Sequence, residues 1–365
     1  MAKQVVCKLS QKNSSQKGVR KMSHQIESIA WHGERPWHGL GTEVLNCMTS
    51  AEAIIAAGLD WEVEKKEIFT KDGLSVDESG VQTPSEKMVV VPGYYAVVRK
   101  TDASPLGVVG ERYTPLQNKD AFAFFDEVVG TYDAIYETAG SLRGGKVIWI
   151  MSKLPGHVGW SEDPIEEWLV LSNAHDGSRQ LVLMATPVRV VCSNTLNVAL
   201  QSAKVNFEVR HTSGMMDRVV DAREALGIAT DYFKEMDAVV KALKEYRMSE
   251  QEIKSYVHNL FPLKVRADES LSGFEDTINV EIGPRVKKYI EKVFELVQTG
   301  RGTEIPGVKG SAYGAFNAAV EFADHYQPVK GKSELLSRKL DSVWFGSAAR
   351  FKQQAFDQIC DTVQL

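Results

Sequence analysis

Four stretches of the 365-residue chain hold residue types that could do chemistry. In Ser172-Asn173-Ala174-His175-Asp176-Gly177-Ser178-Arg179 an imidazole sits beside a carboxylate. His175 and Asp176 could serve as general base and orienter, or as ligands in a metal-dependent nuclease or other hydrolase. Neighbours on a tight turn rarely aim at one atom, however, and Asp-Gly is what a hairpin turn needs by itself. Trp31–Gly41 packs Trp31, His32, Arg35, Trp37 and His38 together. Two histidines with no further ligands nearby make a poor metal site. The tryptophans and Arg35 could stack bases or anchor the segment on the core. Cys192-Ser193-Asn194 reads as a strand-to-helix junction, where free N–H groups lower a thiol pKa. No partner histidine can be assigned, and a buried cysteine is the default. The run Gly300–Gly310 fails as a phosphate loop, because Gly302 and Gly307 are followed by Val308-Lys309-Gly310 and not by Lys-Ser/Thr. It reads as a flexible basic loop. No cofactor is implied and no metal site is assigned.

Basic residues suggest a different chemistry. Arg143, Arg179, Arg189 and Lys204 fall at expected strand ends or a helix start, where they could meet phosphates. Near the C-terminus Lys330, Lys332, Arg338, Lys339, Arg350 and Lys352 alternate with Tyr326, Trp344, Phe345 and Phe351. That interleaving suits single-stranded nucleic acid, and equally suits amphipathic helices whose aromatics are core.

The elements that would position these groups follow from patterning. Thr49-Ser50-Ala51-Glu52 is a capping box for a short helix closed by Gly58. Residues 61–70 read as a strand, 71–87 as a loop or hairpin, and 88–99 as a strand broken at Pro92-Gly93. Asn118 reads as the cap of a helix over 119–129. Arg143-Gly144-Gly145 and Asp176-Gly177 mark turns of two hairpins, with Val147–Met151 apolar on both faces and so central. A helix from Ser193 or Asn194 to about 203 is expected. Further helices are expected over 215–245, 249–260, 312–325 and 345–362. Pro284, with Val286, Tyr289, Ile290, Val293, Phe294 and Val297 behind it, marks the clearest helix. The fold class is α+β: an antiparallel, hairpin-rich sheet with an inserted helix, then a mostly helical C-terminal half. The expected organisation is a disordered basic arm over 1–28, a β-rich core over 29–205 and a helical region over 206–365.

Composition excludes collagen-like, coiled-coil and wholly disordered classes, with 43% hydrophobic and 25% charged residues, and no apolar run reaches the length of a membrane helix. The four cysteines are scattered, which suggests a reducing, cytoplasmic setting. The net charge of −5 conceals an asymmetry: Lys3, Lys8, Lys12, Lys17, Arg20 and Lys21 stand in a segment without carboxylates, and the rest of the chain is acidic.

Several blocks together resemble a phage/plasmid-related protein family of unknown function. They include RPWHGLGTEV (Arg35–Val44), GVVGERYTPLQNKDAFAFFD (Gly107–Asp126), LSNAHDGS (Leu171–Ser178), TPVRVVCSNTLNVAL (Thr186–Leu200) and RKLDSVWFGSAARFKQQAFD (Arg338–Asp357). The resemblance implies a mobile-element origin in a bacterial host, and no established activity or catalytic residue. The leading expectation is a DNA-metabolism protein that binds single-stranded DNA, with strand annealing as its extension. Its phosphate contacts would come from Arg143, Arg179, Arg189 and Lys204. The alternatives are a hydrolase centred on His175 and Asp176, and a non-enzymatic inhibitor of a host defence complex whose acidic body faces a host protein. A homo-oligomer is compatible with each, and no membrane is implied.

Overall fold

The computed structural model describes residues 29–31, 42–44, 49–76, 80, 82–84, 87–129, 135–189, 194–195, 206–211, 219–261, 283–329 and 335–365. Two short strands, β1 (Ile29–Trp31) and β2 (Thr42–Glu43), precede helix α1 (Ser50–Ala56). Then come β3 (Val63–Lys71), β4 (Leu74–Val76), β5 (Gln82–Pro84), β6 (Met88–Arg99) and β7 (Pro105–Gly110). Helix α2 (Asn118–Val129) separates these from β8 (Ile135–Leu142), β9 (Val147–Trp160), β10 (Asp163–Ala174), β11 (Leu181–Arg189), β12 (Asn194–Thr195) and β13 (Asn206–Val209). The remainder is helical: α3 (Val219–Glu245), α4 (Glu250–Asn259), α5 (Pro284–Thr299), α6 (Ala312–Glu321), α7 (Leu335–Phe345) and α8 (Ser347–Val363). The α+β class with its inserted helix is the observed one.

The larger sheet has the order β12-β11-β10-β9-β8-β1-β2, with β13 also pairing β11. Its ladders are antiparallel except β1 with β2. Val147–Ser152 of β9 are buried on both faces, as the continuous apolar run requires. Gly144 and Gly145 take φ of +69° and +84° in the β8–β9 turn, which a Cβ would disfavour. Trp149 meets Trp344 of α7 edge-on at 5.3 Å. Helix α3 packs on β9, β11 and β13 and alongside α2. One apolar core therefore runs from Ala30 through Ile359.

A smaller sheet, β3-β6-β7, is antiparallel throughout. The break expected from sequence at Pro92-Gly93 does not end β6; it lets the strand slip. Glu67 pairs Tyr95, yet Phe69 pairs Val90, so the extra residues of β6 bulge out where Gly93 has φ +77°. Residues 88–91 and 69–71 then form a two-stranded ribbon beyond the reach of β7, and β4–β5 continue it as a hairpin.

Two other expectations are corrected, and one open reading is narrowed. Asn194 and Thr195 extend the large sheet on β11 instead of opening a helix, because their backbone meets Val188 and Arg189; residues 196–203 lie outside the described residues. Gly300–Gly310 is a packed series of turns. Gly300 and Val308 are buried, Arg247 donates to the Gly307 carbonyl at 3.0 Å and to the Lys309 carbonyl, and Glu321 accepts the Arg301 N–H at 3.0 Å. The C-terminal alternation of cations and aromatics divides between surface and core. Trp344 and Phe351 are buried, Arg338 and Lys339 cap the carbonyls of Val329 and His325, and Lys330 and Lys332 lie outside the described residues. Helix α7 was not foreseen.

Lys352 is wholly buried and pairs at 3.0 Å with the buried Asp324, which sits in a π-helical turn at the end of α6. Burial lowers the lysine pKa while Asp324 opposes that shift. Removing one member strands the other charge. Lys352→Ala is therefore expected to cost about 3–5 kcal/mol in urea unfolding, and Lys352→Met with Asp324→Leu to recover most of it. Equal losses in the single and double variants would contradict this account.

Candidate nucleic-acid interface

The larger sheet has two ends. The β8–β9 turn, the β10–β11 turn and the residues after β13 share one of them, since Ala174 pairs Val147, Val147 pairs Leu142 and Leu181 pairs Val209. The smaller sheet docks on this end. A Cβ built on Gly107 of β7 would lie 2.4 Å from the Asp176 Cα, so only glycine permits this approach. Arg99 of β6 lies 4.5 Å over the Trp61 ring and donates to the Gly144 carbonyl at 3.1 Å.

The contacts beneath this rim are polar and buried. Asn118 Nδ2 donates to the carbonyls of Leu59 (2.8 Å) and Trp61 (3.3 Å). Its Oδ1 is thereby left to accept, and His175 Nε2 lies 2.8 Å from it. The His175 proton is assigned to Nε2 by this network. Nδ1 then carries a lone pair, with no hydrogen-bond partner among the described residues. The His175 N–H donates to the Lys146 carbonyl at 2.7 Å, and Tyr113 donates its hydroxyl to the Ala174 carbonyl at 3.0 Å. Tyr113 also stacks on His211 at 4.9 Å, while the Thr114 N–H donates to the His211 carbonyl at 3.2 Å. Asn118, expected to cap α2, instead ties three segments together.

Burial, with the nearby His211 and Arg99, lowers the His175 pKa to about 3. Burial likewise holds His211 down at about 4. Both rings are neutral at physiological pH. His175 is fully enclosed, so the hydrolase reading gains no reachable base. Asp176 points its Oδ1 at the Ser178 N–H, 2.9 Å away, in a local turn, while the ring of His175 turns to Asn118. The two neighbours diverge. Among the described residues, no group of three or more His, Cys, Asp or Glu side chains is placed to hold a metal ion. His32, His38 and Cys192 lie outside the described residues.

The phosphate candidates separate. Arg143 (φ +56°) and Arg179 lie in the two turns at the docked end, both half-buried. The Arg179 guanidinium sits 4.1 Å over the Phe345 ring. Arg189 is opposite Ile165, at the far end of the sheet. Lys204 lies outside the described residues. The docked end gathers cations that sequence reasoning missed: exposed Arg112 after β7, exposed Arg210 after β13, and half-buried Lys146. The local carboxylates are Glu111, Asp176, exposed Glu208 two residues before Arg210, and Asp102, 3.8 Å from the Arg99 guanidinium. Tyr94, 57% exposed, pairs across β6–β7 with Gly110, two residues before Arg112.

A family described as Domain of unknown function (DUF932) matches residues 105–344, which span β7, the inserted helix, the hairpins of the docked end and most of the helical half. The chain belongs to this family. No curated protein and no solved structure matches it. Arg112, Arg143, Lys146, Arg179, Arg189 and Arg210 all fall inside the DUF932 region, whereas Trp61, Tyr94 and Arg99 precede it. No helix among the described residues is long and apolar enough to cross a membrane.

The neutral histidines set a pH dependence. Both folded pKa values are lowered, so the unfolded chain binds more protons between about pH 6.5 and the folded values. Stability then rises with pH across that window and is lost on acidification, by up to about 1.4 kcal/mol per pH unit for each ring. Urea unfolding between pH 4 and 7 measures this, and His175→Gln should flatten the curve. An unchanged slope in that variant would contradict the assignment. Gly107→Ala should cost about 1–3 kcal/mol by forcing β7 off the Asp176 turn, read in the same assay.

Proposed function

We propose that this protein binds single-stranded DNA through the docked end of its larger sheet, with strand annealing as the finer activity, in the DNA metabolism of a mobile element. The observation that carries the reading is the gathering of Arg112, Arg143, Lys146, Arg179 and Arg210 from separate loops onto one rim. Phosphate binding needs such positive charge concentrated locally and does not need a positive total. The cations stand on short turns and loop ends. They therefore suit a strand that can bend to meet them, where duplex readers present a helix or ribbon to a groove. Tyr94, opposite Gly110 and so two residues along the chain from Arg112, adds an exposed ring on which a base can stack. The resemblance to phage and plasmid proteins supports the biological setting. Annealing needs no catalytic group, which fits an enclosed and neutral His175.

Fluorescence anisotropy with labelled single- and double-stranded oligonucleotides across a salt series tests the proposal. Single strands should bind preferentially, with affinity falling steeply as salt rises. Lys146→Ala with Arg210→Ala should weaken binding to all sequences and reduce the salt slope by about 0.7 for each phosphate that is no longer neutralised. Tyr94→Ala should weaken binding with little change in slope. Absence of binding at low salt, or an unchanged salt slope in the double variant, would overturn the proposal. Tight capture of a host protein by a chain that binds no DNA would favour an inhibitor.

A further inference from the structure

Strand β3 is an edge strand. Gln117 closes the beginning of its outer side, accepting the Val63 N–H at 2.9 Å and donating to the Val63 carbonyl at 3.0 Å. Beyond that point no described strand pairs with the outer side of β3. The far part of the strand belongs to the ribbon that extends past β7, and its apolar groups face solvent: Phe69 is 46% exposed, and Met88, Val89 and Val90 opposite it are also exposed. A two-stranded ribbon is marginal in water unless another strand or surface covers it.

The sequence of this edge favours one partner. Its residues run Lys65-Lys66-Glu67-Ile68-Phe69-Thr70-Lys71-Asp72. When two copies meet antiparallel about a two-fold axis through Phe69, Glu67 faces Lys71 twice; Lys66, which pairs with Glu64 at 3.0 Å in its own chain, faces Asp72, which lies just past β3 and pairs with Lys87 at 3.4 Å, twice. Ile68 faces Thr70, and Phe69 faces its own copy. Side chains that face each other fall on the same side of the sheet, as an antiparallel ladder demands. Since Phe69 already pairs Val90 within each chain, an apolar row would cross four strands. The nearest registers that keep the pleat shift by two: one sets Lys65 against Lys71 and Glu64 against Asp72 and is repelled, and the other leaves Glu67 opposite Gly73 and loses its charge pair. Charged edges ordinarily keep copies apart; on this edge the charges select one register. A closed two-fold contact is also the commonest symmetry of soluble oligomers. The balance of Lys65, Lys66 and Lys71 against Glu64, Glu67 and Asp72 makes the edge a poor phosphate track.

We infer that the outer edge of β3 is the docking surface for a second copy of this chain, which pairs antiparallel through the same edge about Phe69. The inference is independent of the DNA-binding proposal. Sedimentation velocity of the full chain over a concentration series, at low and moderate salt, gives the dimer affinity. Glu67→Lys sets lysine against Lys71 twice, and should weaken dimerisation by about tenfold or more. Glu67→Lys with Lys71→Glu restores opposite charges and should return the affinity to near that of the parent. Both side chains are exposed, and circular dichroism checks that the variants fold. Phe69→Cys should form a disulfide-linked dimer under mild oxidation, while Lys66→Cys, which would face Asp72, should not. A parent that stays monomeric at its highest soluble concentration overturns the inference. So does a dimer that ignores Glu67→Lys, or one that the charge exchange fails to restore.

Discussion

The arrangement rests on one buried side-chain amide. Asn118 holds the carbonyls of Leu59 and Trp61, just ahead of β3, and the imidazole of His175 in the β10–β11 turn. These groups are remote in sequence and belong to both sheets and the inserted helix. An amide that satisfies three polar groups away from water is worth more than the same contacts at the surface, and is costly to leave half made. It also fixes chemistry. With both Asn118 donors engaged, His175 must present a proton at Nε2, and its enclosed ring stays neutral. The close approach of Gly107 to Asp176 and the seat of Arg99 over Trp61 follow from that docking.

The same docking divides the cations into two sets. Arg99 gives a donor to the Gly144 carbonyl, and Lys65 gives its ammonium to the carbonyls of Glu111 and Tyr113, at 2.7 and 3.0 Å. These side chains satisfy turns that would otherwise present bare carbonyls to a dry contact. Arg179 spends much of its surface on Phe345. Arg112 and Arg210 remain exposed at the margin. Donors spent on internal carbonyls are poorly placed for phosphates, so the outer set carries the electrostatic argument, while the inner set shapes the rim.

Local patterning was legible where it acts within one element. The Thr49–Glu52 capping box, Pro284 at the start of α5 and the glycine turns of the two hairpins are decided by neighbours in sequence, and each stands as expected. Asn118 was misread because a short amide before an apolar run suits a cap, and only tertiary contact shows its partners. Arg143 and Arg189 looked equivalent as strand-end arginines. Strand order puts them at opposite ends of one sheet, and no periodicity encodes that. His175 beside Asp176 looked like a dyad because adjacency was visible and side-chain direction was not. Arg112 and Arg210 were overlooked since neither sits in a motif; a tally of cations near every hairpin turn could have raised them. Lys352 sits among basic surface residues in sequence, and its burial follows from a carboxylate on another helix.

Charge patterning separates the two exposed surfaces of this chain physically. At physiological ionic strength charges act over roughly 8 Å. Residues on a strand advance by about 3.3 Å, so the alternating lysines and carboxylates of β3 cancel within the distance a polyanion senses. The rim has cations from several loops and fewer carboxylates, so its field adds instead. A phosphate chain responds to that sum. A second copy of β3, in contact and in register, responds to the order of the charges. Net charge alone distinguishes neither surface, because one is nearly balanced by the order of its residues and the other is a local excess on a chain of net −5. A polyanion drawn to the rim and a second chain drawn to the edge would therefore not compete for the same surface.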